Sequence, residues 1–136
     1  MTRDKMREIL MQLFFQAEAQ KDMEESAAAG YIDSNIKGRG NKEYASDVYH
    51  AFTGHKEEID GEIDRCSHRW SVSRMAKIDL AILRVAASEI LFEEETPDSV
   101  AANEAVELAK KFGTEKSPAF VNGVLGKLIK DKNDDR

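Results

Sequence analysis

The segment from residue 73 to residue 92 constrains the fold most. Met75, Ile78, Ile82, Val85, Ala86 and Phe92 cover one side of a helix there, and Leu80, Leu83, Ala87, Ile90 and Leu91 cover much of the rest. A helix apolar almost all round has no solvent face to offer, so other helices must surround it. Asp79, Arg84 and Glu89 interrupt this surface. Charges on such a helix are either paired or reach solvent at a seam between elements.

The surrounding helices are visible as stripes. Met6, Ile9, Leu10, Leu13, Phe14 and Ala17 follow helical spacing, with Thr2 placed to cap the helix. Beside that stripe runs a ridge at steps of four: Arg3, Arg7, Met11 and Phe15. It is either the flank of a wide core stripe or a surface with a cationic half and an apolar half. Residues 20 to 41 lose the period and read as a connector. Ala27 to Ala29 offer one short helix there, stopped by Gly30, and Gly38-Arg39-Gly40 is too flexible for a helix interior. Tyr44, Val48, Ala51 and Phe52 share a face ended by Gly54, and Ile59, Ile63, Cys66 and Trp70 share the next. Thr96-Pro97 opens a helix lined by Ala101, Ala105, Leu108, Ala109 and Phe112, with Lys110 and Lys111 suited to its C-terminus and Gly113 just past it. Ser117-Pro118 starts the last stripe of Val121, Val124, Leu125, Leu128 and Ile129, and the polar tail 130–136 is expected to fray. The expectation is an all-α fold of six or seven helices, in one domain spanning 1–136.

Composition agrees. The 136 residues are 41% hydrophobic and 34% charged, enough for a core and too apolar for disorder throughout. The net charge of −6 excludes a diffuse polycation that coats nucleic acid, but not a local basic site. One cysteine excludes an internal disulfide framework and any multi-cysteine metal site, and suits a reducing cytoplasm. No run approaches the roughly 18 apolar residues of a membrane span, and the N-terminus does not read as a secretory signal.

Catalytic patterns are not found. Gly38-Arg39-Gly40 lacks the lysine and helix start of a phosphate loop. His50 and His55 are five apart, on different helix faces, and Cys66 and His68 are two apart. No catalytic residue, cofactor or metal is expected. Binding is the better prospect. Arg3, Lys5 and Arg7 form a small cationic patch, diluted by Asp4 and Glu8. Lys116 and Phe120 place a cation beside an aromatic, which can pair phosphate attraction with base stacking. Phe120 also neighbours the Val121 and Val124 stripe, so a purely core role is the competing reading.

Three ordered blocks carry a resemblance. Trp70-Ser71-Val72-Ser73-Arg74 precedes Ile78-Asp79-Leu80-Ala81-Ile82-Leu83-Arg84-Val85-Ala86. Next comes Asn103-Glu104-Ala105-Val106-Glu107-Leu108-Ala109-Lys110-Lys111-Phe112-Gly113, then Phe120-Val121-Asn122-Gly123-Val124-Leu125. In order and spacing they resemble the NusB family of bacterial transcription antitermination factors, strongly over 70–125 and moderately in the first helix.

The resemblance implies two small helical bundles sharing a long central helix. It implies a non-catalytic adaptor that pairs with NusE, a ribosomal small-subunit protein. The pair binds boxA RNA on nascent transcripts, joins the RNA polymerase elongation complex with other Nus factors, and suppresses premature termination, notably in ribosomal RNA operons. By the same resemblance, Arg3, Lys5, Arg7, Lys116 and Phe120 face RNA, while Phe15 and Asp79, with Met11 from the same ridge, face NusE. Two departures stand out: the three N-terminal cations are broken by Asp4 where the family often carries a run of arginines, and Phe15 stands where tyrosine is common. The alternative is a homodimeric scaffold with weak or no RNA binding, suggested by the acidic balance. An accessory domain of an RNA methyltransferase is disfavoured, because 136 residues leave no room for a cofactor-binding domain.

Overall fold

The apolar segment folds as α5 (Lys77–Phe92), and every residue from Leu80 to Ile90 is buried. The computed structural model describes residues 1–21, 23–68 and 71–134. Among these, the other helices are α1 (Arg3–Gln20), α2 (Glu25–Asn35), α3 (Arg39–Gly54), α4 (Lys56–Cys66), α6 (Asp98–Phe112) and α7 (Ser117–Asp134), with one 3-10 turn at Val72–Arg74 and no strand. The chain is all-helical, as expected. Helices α1, α3, α4, α6 and α7 all pack on α5. Helix α2 closes against α1 and α3, and α6 pairs with α7 on the other side. At 16 residues α5 is shorter than α1 and α7, which have 18 each, so it is central by burial rather than by length. It starts later than residue 73 because the 3-10 turn and Ala76 precede it.

The charges on α5 are resolved by pairing, though Arg84 and Glu89 do not pair with each other. Arg84 donates Nε and Nη2 to the two carboxylate oxygens of Asp60 on α4, at 2.9 and 2.8 Å, and Nη1 to Glu18 on α1 at 3.0 Å. Its guanidinium also lies over the Phe52 ring, 5.1 Å from the centroid. Burial is the largest single influence on Glu18 and works against its charge, but the Arg84 hydrogen bond together with the positive charges of Arg84, Lys77 and Lys56 outweighs it, holding this carboxyl below its ordinary range. Glu89 accepts Nε of Arg7 at 3.0 and 3.1 Å and the Tyr44 hydroxyl at 2.7 Å. The pairs 7–89 and 18–84 run in opposite chain senses, so α1 is antiparallel to α5. Lys132 donates to the Ile90 carbonyl at 2.6 Å and binds Asp98, and with Phe120 beside Asp79 at the other end α7 runs parallel to α5. That anchor also explains why α7 stays helical through Asp134, beyond the point where its polar composition suggests fraying.

Thr2 caps α1 as expected, its Oγ1 accepting from the Lys5 amide at 3.1 Å. Ile59, Ile63 and Cys66 are buried on one face, while Trp70, expected with them, lies outside the described residues. The connector reading needs correction. Helix α2 runs straight through Gly30, because Ala28 and Ile32 dock on the core on either side of it. Gly38, at φ 92°, supplies the left-handed residue from which α3 starts, and Gly40 sits in that helix's first turn.

The Arg7–Glu89 contact is buried on both sides, at 4% and 1% side-chain exposure. Replacing Arg7 alone, as Arg7→Met, leaves a buried carboxylate without its cation and should cost about 3–5 kcal/mol. The double variant Arg7→Met/Glu89→Leu should recover most of that loss. Urea unfolding of the three proteins, compared at constant m-value, measures both.

Candidate nucleic-acid interface

The N-terminal end of α1 gathers charge from its own first turns, from α6 and from the segment between α5 and α6. The guanidinium of Arg3 lies 4.3 Å from the centroid of the Tyr44 ring, with Nη2 3.8 Å from Glu95. Lys5 is exposed and donates to one oxygen of Glu8 at 2.6 Å, and Lys111 from α6 donates to the other at 2.6 Å. These two bonds, Lys111 first, hold the Glu8 carboxyl below its ordinary value of 4.5. On the same groove, burial and the neighbouring Asp4 push Glu104 up. The N-terminal basic patch therefore extends to Lys111, which sequence reasoning assigned only to the helix terminus. Its spacing held no sign of this, since 103 residues separate it from Glu8.

Two members of the ridge correct the surface reading. Arg7 is turned inward onto Glu89, and Met11 is 1% exposed within the core. Helix α1 packs on α2, α3 and α5, so its buried stripe is wide enough to take in the middle of the ridge. Neither residue presents itself to a partner in this structure. The outer members differ: Phe15 is half-buried at the edge of the core and Arg3 is half-buried over Tyr44.

The second cluster forms around the joint between α6 and α7. Ser117, 1% exposed, accepts the Thr114 amide on its Oγ at 3.0 Å and fixes the turn. A Cβ on Gly113 would lie 2.5 Å from Ser117 Cβ, so only glycine admits this close turn. The turn projects Lys116 into solvent and leaves Phe120 half-buried against the core. Asp79, in the first turn of α5, shares a cavity of about 330 Å³ with Arg74, Ala76, Lys116 and Phe120. Its Oδ1 is shut off from solvent with no hydrogen-bond partner among the described residues. Asp79 is thus a seam carboxylate, and it stands beside the expected RNA residues as well as at the end of α5 where late α1 lies.

Helix directions set the spacing of these clusters. Arg3 and Lys5 lie toward the C-terminal end of α5, near Glu95, whereas Asp79, Lys116 and Phe120 lie at its N-terminal end. The ten residues from 79 to 89 span about 15 Å of helix. Lys111 shortens that gap, five residues from Lys116 in the chain and joined to Lys5 through Glu8. Elsewhere, His50 is engaged by Glu25 and the Ser46 carbonyl, and burial pushes the Cys66 thiol up. Among the described residues no group of three or more His, Cys, Asp or Glu is placed to hold a metal, and no helix is long and apolar enough to cross a membrane.

Fold and surface together define a class of helical bundle whose distinctive chemistry lies in charged and aromatic groups at its surface. Comparison with known proteins makes this specific. The NusB family model matches residues 4–130, and the chain belongs to the NusB family. It is 44% identical over 126 residues to the transcription antitermination protein NusB of Acetivibrio thermocellus, covering 93% of this chain and 87% of that one. A structure of T. maritima NusB superposes with a TM-score of 0.86 at 31% identity, over 96% of this chain and 92% of that chain. A crystal structure of the antitermination factors NusB and NusE in complex with dsRNA gives 0.83 at 25% identity, over 96% and 99%.

The Glu8 bridge predicts a pH dependence. A carboxyl held below its unfolded value adds stability that is complete above about pH 4.5 and disappears as pH falls through the lowered folded value. Glu8→Gln should therefore be less stable than the parent near neutral pH, with the difference shrinking on acidification below 4.5. Thermal unfolding across that range checks it.

Proposed function

We propose that this chain is a transcription antitermination factor: a non-catalytic cytoplasmic adaptor, acting as one domain, that pairs with NusE and binds boxA-type RNA on nascent transcripts. The paired complex joins the elongating RNA polymerase with other Nus factors and suppresses premature termination, notably of ribosomal RNA operons. The observation that carries this reading is the near-full-length match to NusB proteins, including the NusB of a NusB–NusE–dsRNA complex.

Surface chemistry supports a division of labour. Arg3 and Lys5, reinforced by Lys111, offer one set of phosphate contacts, and Lys116 with Phe120 offers a cation and a stacking face. Arg7 serves this surface from within by fixing the first turns of α1 on Glu89. Phe15 and Asp79, at the same end of the antiparallel α1–α5 pair, are the proposed contacts to NusE. The N-terminal cations are largely engaged by Glu8 and Glu95, so RNA affinity without the partner is low.

Fluorescence anisotropy of labelled boxA RNA, titrated with this chain alone and with equimolar NusE at low and moderate salt, tests the reading. Binding should tighten at least tenfold in the presence of NusE, and Asp79→Lys should weaken NusE binding by about tenfold or more. Binding no better than to a scrambled RNA, with NusE present, contradicts the adaptor role.

A further inference from the structure

One cavity takes no part in either surface described above. It lies between the C-terminal ends of α1 and α3 and the start of α4, and holds about 440 Å³. Phe14, Tyr49, Phe52 and Arg84 form its floor, and the exposed Lys21, Thr53 and Lys56 form its rim. Phe14, Ala17 and Lys21 share one face of α1, and Phe15 lies about 200° round the helix from Ala17. The cavity therefore opens on the flank of α1 away from the proposed NusE contact. Its charge is unbalanced. The lining carries Lys21, Lys56 and Arg84 against Glu18 alone. With Asp60 and Lys77, which pair with Arg84 and Glu18 from outside the lining, four cations face two carboxylates, in a chain of net charge −6. Lys21 has no ion-pair partner among the described residues, and it ends α1 at φ 59°, a left-handed conformation that is costly for a residue other than glycine. Tyr49 is 6% exposed, and its hydroxyl reaches solvent without a hydrogen-bond partner among the described residues.

We infer that this cavity docks a short acidic segment of a further partner protein, anchored by one large apolar side chain. The anchor enters between Phe14, Met23 and Phe52, and carboxylates on either side of it meet Lys21 and Lys56. The Tyr49 hydroxyl is free to donate to a backbone carbonyl of the segment. The charge of Glu18 is compensated before the partner arrives, by Arg84 at 3.0 Å and Lys77 at 3.8 Å. The floor argues for a protein side chain over a nucleic-acid base. Phe52 carries the Arg84 guanidinium and meets Phe14 at 4.9 Å, and Phe14 meets Tyr49 edge-on at 5.6 Å. Rings engaged with one another in this way offer a poor platform for base stacking, but they pack well on an inserted apolar group. The open side argues for a side chain of a larger molecule, since a free metabolite is held where most of its surface is enclosed.

This site goes beyond the adaptor reading and does not depend on it, and its test leaves NusE and RNA out of the titration. The probe is a short capped peptide with aspartates and glutamates on both sides of a central phenylalanine. Its control carries serine at the centre. Each is titrated into the isotope-labelled chain and followed by amide chemical shifts. The phenylalanine peptide should give saturable shifts concentrated in 14–21 and 49–56, and should bind at least about tenfold more tightly than the serine peptide. Lys21→Glu and Lys56→Glu should each weaken it about three- to tenfold, with the loss shrinking at high salt. Ala17→Leu fills the cavity from its wall, leaves the rim charges in place and keeps a good helix former, so it should weaken the peptide about tenfold or more. The melting temperature and NusE binding of Ala17→Leu should match the parent, which sets a blocked site apart from a misfolded chain. The inference is overturned if the phenylalanine peptide gives no saturable shifts, if the serine peptide binds equally well, or if Ala17→Leu binds like the parent. It is also overturned if a uridine tract displaces the peptide from the same residues, which would make the cavity a nucleic-acid contact.

Discussion

Burying charge on α5 is possible only because two other regions of the chain bring countercharges to it. Arg84 and Glu89 lie among residues that are almost wholly removed from water, where an unpaired ion costs several kcal/mol. Glu18 and Asp60 meet the first, and Arg7 with Tyr44 meets the second. Such contacts contribute little net stability compared with apolar packing of the same volume. What they supply here is register. Helix α1 is fastened to α5 at two points, through residues 7 and 18, so neither sliding nor rotation is open to it without stranding a charge.

Everything at the surface inherits that register. Fixing Arg7 on Glu89 places Arg3 over Tyr44 and leaves Lys5 beside Glu8 and Lys111. Fixing Glu18 on Arg84 brings the end of α1, with Phe15, level with the start of α5 and Asp79. The α6–α7 joint, closed by Gly113 and Ser117, then sets Lys116 and Phe120 beside that same start. A protein of net charge −6 thus presents cations at both ends of its central helix, about 15 Å apart along the axis. Extended single-stranded RNA can bridge such a spacing, and NusE is proposed to dock beside one end of it.

Much of this was legible in the sequence because periodicity is a local property. The stripes of α1, α6 and α7 follow one helix face each, and the prominence of α5 follows from its being apolar almost all round. Two kinds of information were not local. The width of a buried stripe depends on how many neighbours a helix has, which is why Arg7 and Met11 read equally well as surface or flank and are buried. Charge partners such as Glu18 and Asp60 for Arg84, or Glu8 for Lys111, are separated by 24 to 103 residues, and no spacing rule reaches that far. Helix α2 was obscured for a simpler reason: it docks through Ala28 and Ile32, with Tyr31 half-buried beside them, too few apolar residues to mark a period. The family resemblance located Lys116, Phe120, Phe15 and Asp79, but only the fold brings Arg74 to the same cavity.

Amide hydrogen exchange, measured on the free chain and on its complex with NusE and boxA RNA, tests the central claim most directly. The account predicts that amides from Leu80 to Ile90 exchange only through global unfolding in both states. It predicts that binding adds protection in the first turn of α1, across 114–120, and around Phe15 and Asp79. Opening of α5 below the global unfolding free energy, or added protection confined to the exposed faces of α2 and α3, would contradict it.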